Sequence, residues 1–394
     1  MRAPYTDAEY VCSPIVSGAA RPSDRPTRAE IDLHALTHNY GEVTRRIGGR
    51  KVLAVVKAQA YGHGAVPVAR HLAGLGAHMF GVALVEEGSN LRDAGITTPI
   101  LVIGPVFPEQ AEALVGANLT PVVYTLPVAK ALSDAAGNAG KAVPVHVKID
   151  TGMGRIGVSP EEAVQFIETI SKFPGIVVEG LMTHFADADL RDKKFATNQL
   201  DRFEALIGSL DKKGITIPLR HAANSAAVLE YDRALLTMVR PGLMLYGYDP
   251  LESGAAADVR PVLSLVTRIA YIKKVPAGVP ISYGRTFVTK RESLIATIPI
   301  GYADGYSRGL SNRGEAIVRD KRVPVAGRVC MDMTMLDVTE VPGVAAGDEA
   351  VLIGSSGNER ITADDIAAKT GTIAYEVLCG ISGRVPRIIK QVQS

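Results

Sequence analysis

The stretch V-L-A-V-V-K-A-Q-A-Y-G-H-G, from Val52 to Gly64, decides how the chain is read. Its first five residues are short, apolar and partly β-branched, as in a strand of a parallel sheet that is covered on both faces. Lys57 then stands at the end of that strand, where burial disfavours an ammonium and leaves an amine able to form a Schiff base with an aldehyde. A lysine there can also simply reach water along its stem. The residues after Lys57 favour chemistry: Gly62 and Gly64 let the backbone approach a ligand, and Tyr61 offers a hydroxyl to a phosphate.

Outward from this strand, short apolar runs alternate with longer helix-like stretches. Strands are expected near 51–57, 79–84, 99–103, 120–124, 145–150, 178–185, 219–222 and 238–241. The clearest helix is Pro160 to Ile170, with Ala163, Phe166, Ile167 and Ile170 on one face. Strand alternating with helix argues for a parallel sheet, and this many units for a closed (β/α)8 TIM-type barrel, with a doubly wound sheet as runner-up. Beyond about Arg260 the runs 261–275, 294–300, 316–325 and 331–338 leave little room for helices, as in a mostly antiparallel β domain. One helix is expected there, starting at the capping pair Thr362 and Asp365 and stopping at Gly371, and the G-S-S-G run from Gly354 to Gly357 is read as a hairpin loop. The expected division is an arm at 1–25, a barrel at 26–255 and the β domain at 256–394.

Composition permits a two-domain enzyme and excludes several alternatives. The 394 residues are 47% hydrophobic with 39 glycines, and 43 basic residues nearly balance 41 acidic ones, so nucleic acid is not an indicated partner. Cys12, Cys330 and Cys379 are scattered, which argues against a disulfide framework or a zinc site. No apolar run reads as a signal peptide or a membrane span, so the cytoplasm is the expected address.

In such a barrel, chemistry sits where the strands end. The expected strands deliver Lys57, then Asp150 leading to Arg155, His184 in T-H-F, Asn224 and Ser225 in A-A-N-S, and Arg240 before Pro241-Gly242. An amine, guanidiniums, an imidazole and a hydroxyl thus converge on one rim. No run of Asp, Glu and His has metal-ligand spacing, so no metal is expected.

The chain resembles the fold-type III, pyridoxal-phosphate-dependent alanine racemases from about residue 26 onward. The resemblance rests on V-V-K-A-Q-A-Y-G-H-G, K-I-D-T-G-M-G-R-I-G, E-G-L-M-T-H-F, A-A-N-S and M-V-R-P-G-L-M-L-Y-G, followed by I-S-Y-G, I-P-I-G-Y-A-D-G, G-R-V-C-M-D-M and Y-E-V-L-C. It implies an isomerase interconverting L- and D-alanine, supplying D-alanine for peptidoglycan, with pyridoxal 5'-phosphate carried on Lys57. Tyr61, Ser225, Tyr375, Gly242 and Leu243 would bind the phosphate, with Asn224 beside them. Arg240 would face the pyridine nitrogen and His184 would lie against the ring, the two forming a cationic network. Racemisation needs a base on each face of the substrate. The resemblance implies Lys57 and, from the other subunit of a homodimer, Tyr283. Arg155 and the N–H of the partner's Met331 would hold the substrate carboxylate, with Lys148, a position often carbamylated, steadying Arg155. Tyr302, Tyr375 and Asp332 would support the site, and Asp189 and Arg308 would lie along the approach. Gln59 stands where the family usually has Asn, and Ile156 after Arg155 favours the alanine-preferring type. Competing readings are a non-catalytic cofactor-binding barrel, disfavoured by the β domain, and an amino-acid decarboxylase, disfavoured by Arg240.

Overall fold

The computed structural model describes residues 25–251 and 257–390; the arm expected at 1–25 falls, apart from Arg25, outside them. The first strand, β1 (Arg28–Ile31), is followed by the eight strands of a parallel sheet: β2 (Lys51–Val55), β3 (Met79–Val82), β4 (Ile100–Val102), β5 (Thr120–Val123), β6 (Val143–Lys148), β7 (Ile176–Met182), β8 (Leu219–His221) and β9 (Met238–Val239). They run in the order β8-β7-β6-β5-β4-β3-β2-β9. Backbone bonds from Thr237 N to Arg220 O (3.1 Å) and from Arg240 N to Ala223 O (2.9 Å) join the two ends into a barrel. Each expected strand is present in its expected place, and the fold is a (β/α)8 barrel with a mostly antiparallel β domain.

The local chemistry explains the elements. β2 is buried along Val52–Val55, as a strand must be that has barrel interior on one face and helices on the other. The helix Pro160–Ile170 has Ser159 as its N-cap, Pro160 in its first turn and Glu161 and Glu162 at its positive end. Such a cap contributes about 1 kcal/mol. Ala163, Ile167 and Ile170 face the core from it.

In the β domain, one sheet runs Lys321–Pro324, Glu315–Val318, Glu349–Ser356, β10 (Leu263–Arg268), β1 and Arg387–Ile389. A second pairs Tyr271–Val275 with Ser293–Ile298 and Thr334–Asp337. The helix Ala363–Thr370 starts at Thr362, paired with Asp365, and stops at Gly371 (φ 73°), as expected. Three details differ from the sequence reading. β1 belongs to the β-domain sheet, antiparallel to β10 and parallel to Arg387–Ile389, although it precedes the barrel in the chain. Gly354–Ser356 is strand, and the turn is made at Gly357 (φ 58°). A second helix, Ala374–Cys379, carries Tyr375. Six residues are too few for a period of 3.6 to stand out. Among the described residues no helix is long and apolar enough to cross a membrane.

Candidate active site

The carboxyl ends of the barrel strands enclose a cavity of about 520 Å³. Its lining includes Lys57, Tyr61, Lys148, Arg155, His184, Asn224, Ser225, Arg240, Gly242, Leu243 and Tyr375, all anticipated from sequence. Ile156 also lines it, as do Ala58, Ile103, Met182, Ile373 and Cys379, which sequence reasoning did not single out.

Lys57 does not continue its strand. The chain turns at once into four consecutive residues with left-handed backbone: Ala58 (φ 51°), Gln59 (φ 55°), Ala60 (φ 53°) and Tyr61 (φ 54°). L residues resist this, at about 1–2 kcal/mol each. The turn is held by an internal bond from Gly62 N to Ala58 O (2.9 Å). Glu87 pins it from outside, one carboxylate oxygen accepting from Ala58 N (2.6 Å) and the other from Ala83 N (2.7 Å). Above it sits the helix Ala374–Cys379, so close that a Cβ on Gly62 would lie 2.2 Å from Leu378 O. The strain fixes where the amine stands and places Tyr61 four residues on, facing Gly242, where a Cβ would meet the Tyr61 hydroxyl at 2.6 Å. Burial, with Arg155 second, lowers the Lys57 amine from its ordinary value, against Cys379 and Glu87.

At the other end of the cavity, hydroxyls gather. Ser225 Oγ accepts from the N–H groups of Gly242 (2.9 Å) and Met244 (3.3 Å). Asn224 caps the helix Ser225–Glu230 by accepting from Ala227 N at 3.0 Å, which fixes the position of Ser225. The Tyr61 and Tyr375 rings lie 5.8 Å apart, and burial pushes the Tyr375 phenol up to about 12, so both stay protonated as donors at neutral pH.

Arg240 is buried in the cavity wall. Its guanidinium donates to Thr183 O (2.7 Å) and Ala222 O (2.9 Å), and lies 3.2 Å from His184 Nδ1 and 3.0 Å from His221 Nδ1. Burial draws Arg240 down to about 9, which still leaves it charged at neutral pH. Burial, then Arg240, holds His184 well below its usual value. The neutral form of His184 is thus favoured, and within the cationic network expected from sequence the guanidinium of Arg240 carries the charge. Lys148 is likewise held well below the usual lysine value, by burial and then by Arg240 and Arg155. The interior is short of negative charge: among the described residues, Glu376 is the one carboxylate in the lining. Among the described residues no group of three His, Cys, Asp or Glu is placed to hold a metal.

The remaining anticipated residues lie elsewhere. Asp189 lines a neighbouring cavity that shares Asn224, Ser225 and Tyr375. Tyr283, Tyr302, Arg308, Met331 and Asp332 belong to the β domain and do not line the cavity of their own chain. Tyr283 projects from a strained loop, between Ser282 (φ 67°) and Gly284 (φ 71°), and is 72% exposed. The segments bearing Tyr283, Tyr302 and Met331 meet at Cys330: Ser282 Oγ lies 3.6 Å from its sulfur, and Tyr302 N donates to its carbonyl at 3.0 Å. Met331 and Met333 beside them are exposed, as is Tyr302. Asp332 pairs with Arg384 at 2.7 Å, and Arg308 opens the short turn Arg308–Leu310.

Fold and site together define a barrel whose rim gathers a buried amine, a guanidinium and several hydroxyls around one cavity. Sequence models of the alanine racemase N-terminal domain and C-terminal domain match residues 31–250 and 262–389. An alanine racemase of Halothermothrix orenii is 50% identical over 368 residues, 93% of this chain and 97% of that one. "Alanine racemase 2" of Caldanaerobacter subterraneus subsp. tengcongensis is 51% identical over 367 residues, 92% of this chain and 95% of that one. Among solved structures, alanine racemase from Clostridium difficile 630 superposes with TM-score 0.90 at 39% identity, covering 93% of this chain and 96% of that one. That from Bacillus anthracis with bound L-Ala-P gives 0.88 at 37% identity, covering 94% and 96%. The chain belongs to the alanine racemase family and is an amino-acid racemase.

Proposed function

We propose that this enzyme interconverts L- and D-alanine, using pyridoxal 5'-phosphate, by moving protons on and off opposite faces of the substrate Cα. The observation that carries the reading is the cavity's donor set. An amine lowered by burial shares one cavity with phenol and serine hydroxyls and a buried guanidinium. That set suits an anionic ring compound bearing an aldehyde, and the bare Cα of Gly242 leaves room against Tyr61 for it. Lys57 would hold the aldehyde. Tyr61, Ser225 and Tyr375, with the N–H groups of Gly242 and Leu243, would hold the phosphate, and His184 would lie against the ring. Arg240 would face the ring nitrogen, which a guanidinium keeps unprotonated because it gives up its proton so reluctantly. When bound, the cofactor acidifies the substrate's Cα–H by delocalising the electrons left behind.

The rest falls to the protein. Lys57 would take or return the proton on one face, and Tyr283 of a second copy would serve the other. Each such base contributes about a hundred- to ten-thousandfold. Arg155 and the Met331 N–H of that second copy orient the substrate carboxylate. Lys148, whose charged form is disfavoured by burial and by Arg240 and Arg155, would combine with carbon dioxide, releasing a proton and leaving a carbamate that steadies Arg155. Tyr302, Tyr375 and Ile156 limit the side chain to a small one, Asp332 supports the loop of Met331, and Asp189 and Arg308 line the approach. The exposed apolar cluster around Tyr283, Tyr302 and Met331 supports a homodimer with shared sites. The division into a barrel at 26–255 and a β domain at 256–394 is proposed with β1 assigned to the latter's sheet. D-alanine for peptidoglycan, made in the cytoplasm, is the proposed role.

The test is direct. Purified enzyme with L-alanine forms D-alanine without releasing carbon dioxide, borohydride fixes a pyridoxyl label on Lys57, and Lys57→Ala abolishes both. A label on another lysine overturns the reading. Tyr283→Phe mainly impairs hydrogen exchange at Cα from the L isomer; equal loss from both isomers contradicts the two-base scheme.

A further inference from the structure

Behind the cavity wall, the barrel interior holds polar groups that the reaction does not touch. Arg240 Nη1 lies 3.0 Å from His221 Nδ1, His221 Nε2 lies 2.7 Å from His146 Nδ1, and His146 Nε2 lies 3.3 Å from Glu179 Oε1. Both histidines and Arg240 are buried, whereas the Glu179 side chain is 29% exposed. The chain of contacts has one consistent sense. A guanidinium only donates, so His221 Nδ1 must accept and its proton must sit on Nε2. That proton is donated to His146 Nδ1, which puts the His146 proton on Nε2, facing the carboxylate. Every donor meets an acceptor only if an acceptor stands at the far end.

The backbone is shaped to put one there. β6 and β7 pair with a register shift: Val145 faces Val178 and His146 faces Gly180, so Glu179 is the extra residue of a bulge. Bulges re-aim side chains and recur beside active sites. The glycine at 180 is equally specific, because a Cβ there would lie 2.3 Å from the His146 ring. Burial is the main reason both histidines stay below their usual values, which keeps them neutral and able to accept as well as donate.

We infer that Glu179 is a positioning residue for Arg240, acting through His146 and His221 by fixing both rings in the Nε2–H tautomer. It touches neither substrate nor cofactor. Without its acceptor, the His146 Nε2–H is left unpaired inside the barrel, and the relief is to move that proton to Nδ1. Two donors then face each other, His221 must flip its tautomer in turn, and its Nδ1–H points at the guanidinium. Arg240 loses a partner and gains a repulsion at the group that sets the electronics of the site. The inference rests on the proposed role of Arg240, but the tautomers themselves can be read without cofactor.

The experiment compares Glu179→Leu with Glu179→Gln, which keeps an oxygen acceptor without the charge. Ring-nitrogen NMR of ¹⁵N-histidine-labelled protein, freed of cofactor, should show Nε2–H tautomers for His146 and His221 in the parent and in the Gln variant. In the Leu variant at least one should change. With cofactor, the Leu variant should lose about three- to thirtyfold in kcat with KM little changed and an altered visible absorption, while Gln restores kcat to within about threefold. Unchanged tautomers in the Leu variant overturn the inference and leave the racemase reading standing. Changed tautomers with unaltered kcat and absorption overturn it too, since Arg240 would not be sensing the relay. An inactive parent enzyme would instead count against the proposed function. Gly180→Ala, which presses on His146 but leaves Glu179 in place, should shift the same resonances.

Discussion

The barrel half of the proposed site and its β-domain half are built on opposite plans. In the barrel, Lys57, Lys148, His184 and Arg240 are withdrawn from water, and burial moves each from its ordinary protonation behaviour. In the β domain, Tyr283 and Met331 stand out in solvent on loops, that of Tyr283 held in a locked backbone, and neither lines the cavity of its own chain. One half is an enclosed chamber; the other projects from its own chain and, on the proposed reading, enters the chamber of a second copy. The contrast teaches that a catalytic group can be prepared by pre-forming its surroundings, or by fixing its backbone and leaving the surroundings to be supplied on association.

The sharpest test of this contrast mixes two dead variants. Lys57→Ala and Tyr283→Phe homodimers should each be inactive or nearly so. Unfolded and refolded together, they should regain roughly a quarter of parental activity, because half the dimers are mixed and each has one intact site. No recovery would mean that both bases act within one chain.

A second test uses acid. The last of the 8 histidines is His221, so the β domain has none. His63 is held down to about 4, chiefly by burial, and His146, His184 and His221 are lowered for the same leading reason. As pH falls from about 6.5 towards 4, the unfolded chain binds protons that the folded barrel refuses, and stability is lost. His63 alone accounts for about 3 kcal/mol of this at full effect. Hydrogen exchange at about pH 5 against pH 7 should show barrel strands losing protection ahead of Glu349–Ser356. Uniform loss across both halves would blur the distinction between them.

The smallest expected effect concerns the left-handed turn. Gln59→Gly removes one strained L residue from an exposed position and should raise stability by up to about 1 kcal/mol, read from the denaturant midpoint, with the Lys57 label unaffected. A destabilised variant would show that the Gln59 contact to Ala65 N outweighs the strain.

Much of this was legible in the sequence because barrel strands are short, continuous apolar runs and their ends carry the polar residues. The cap at Thr362 and the stop at Gly371 were equally plain, since capping chemistry is local. What stayed hidden depends on contacts far apart in the chain. β1 finds its sheet partners more than two hundred residues away, so no nearby pattern marks it as part of the β domain. The left-handed turn after Lys57 is set by Glu87 and Leu378, which no periodicity connects to Ala58. His146 was within reach: it stands two residues before Lys148, and the alternation of a strand puts both on one face.

The placement of β1 has a practical consequence. It lies between β10 and Arg387–Ile389, so three stretches from the beginning, middle and end of the polypeptide are woven side by side. A fragment cut out at residue 256 would lack the strand that joins β10 to Arg387–Ile389, leaving two raw strand margins open to pairing with stray chains. Anyone wishing to produce the C-terminal portion alone should graft Arg28–Ile31 back onto it, or supply that tetrapeptide as a separate ligand.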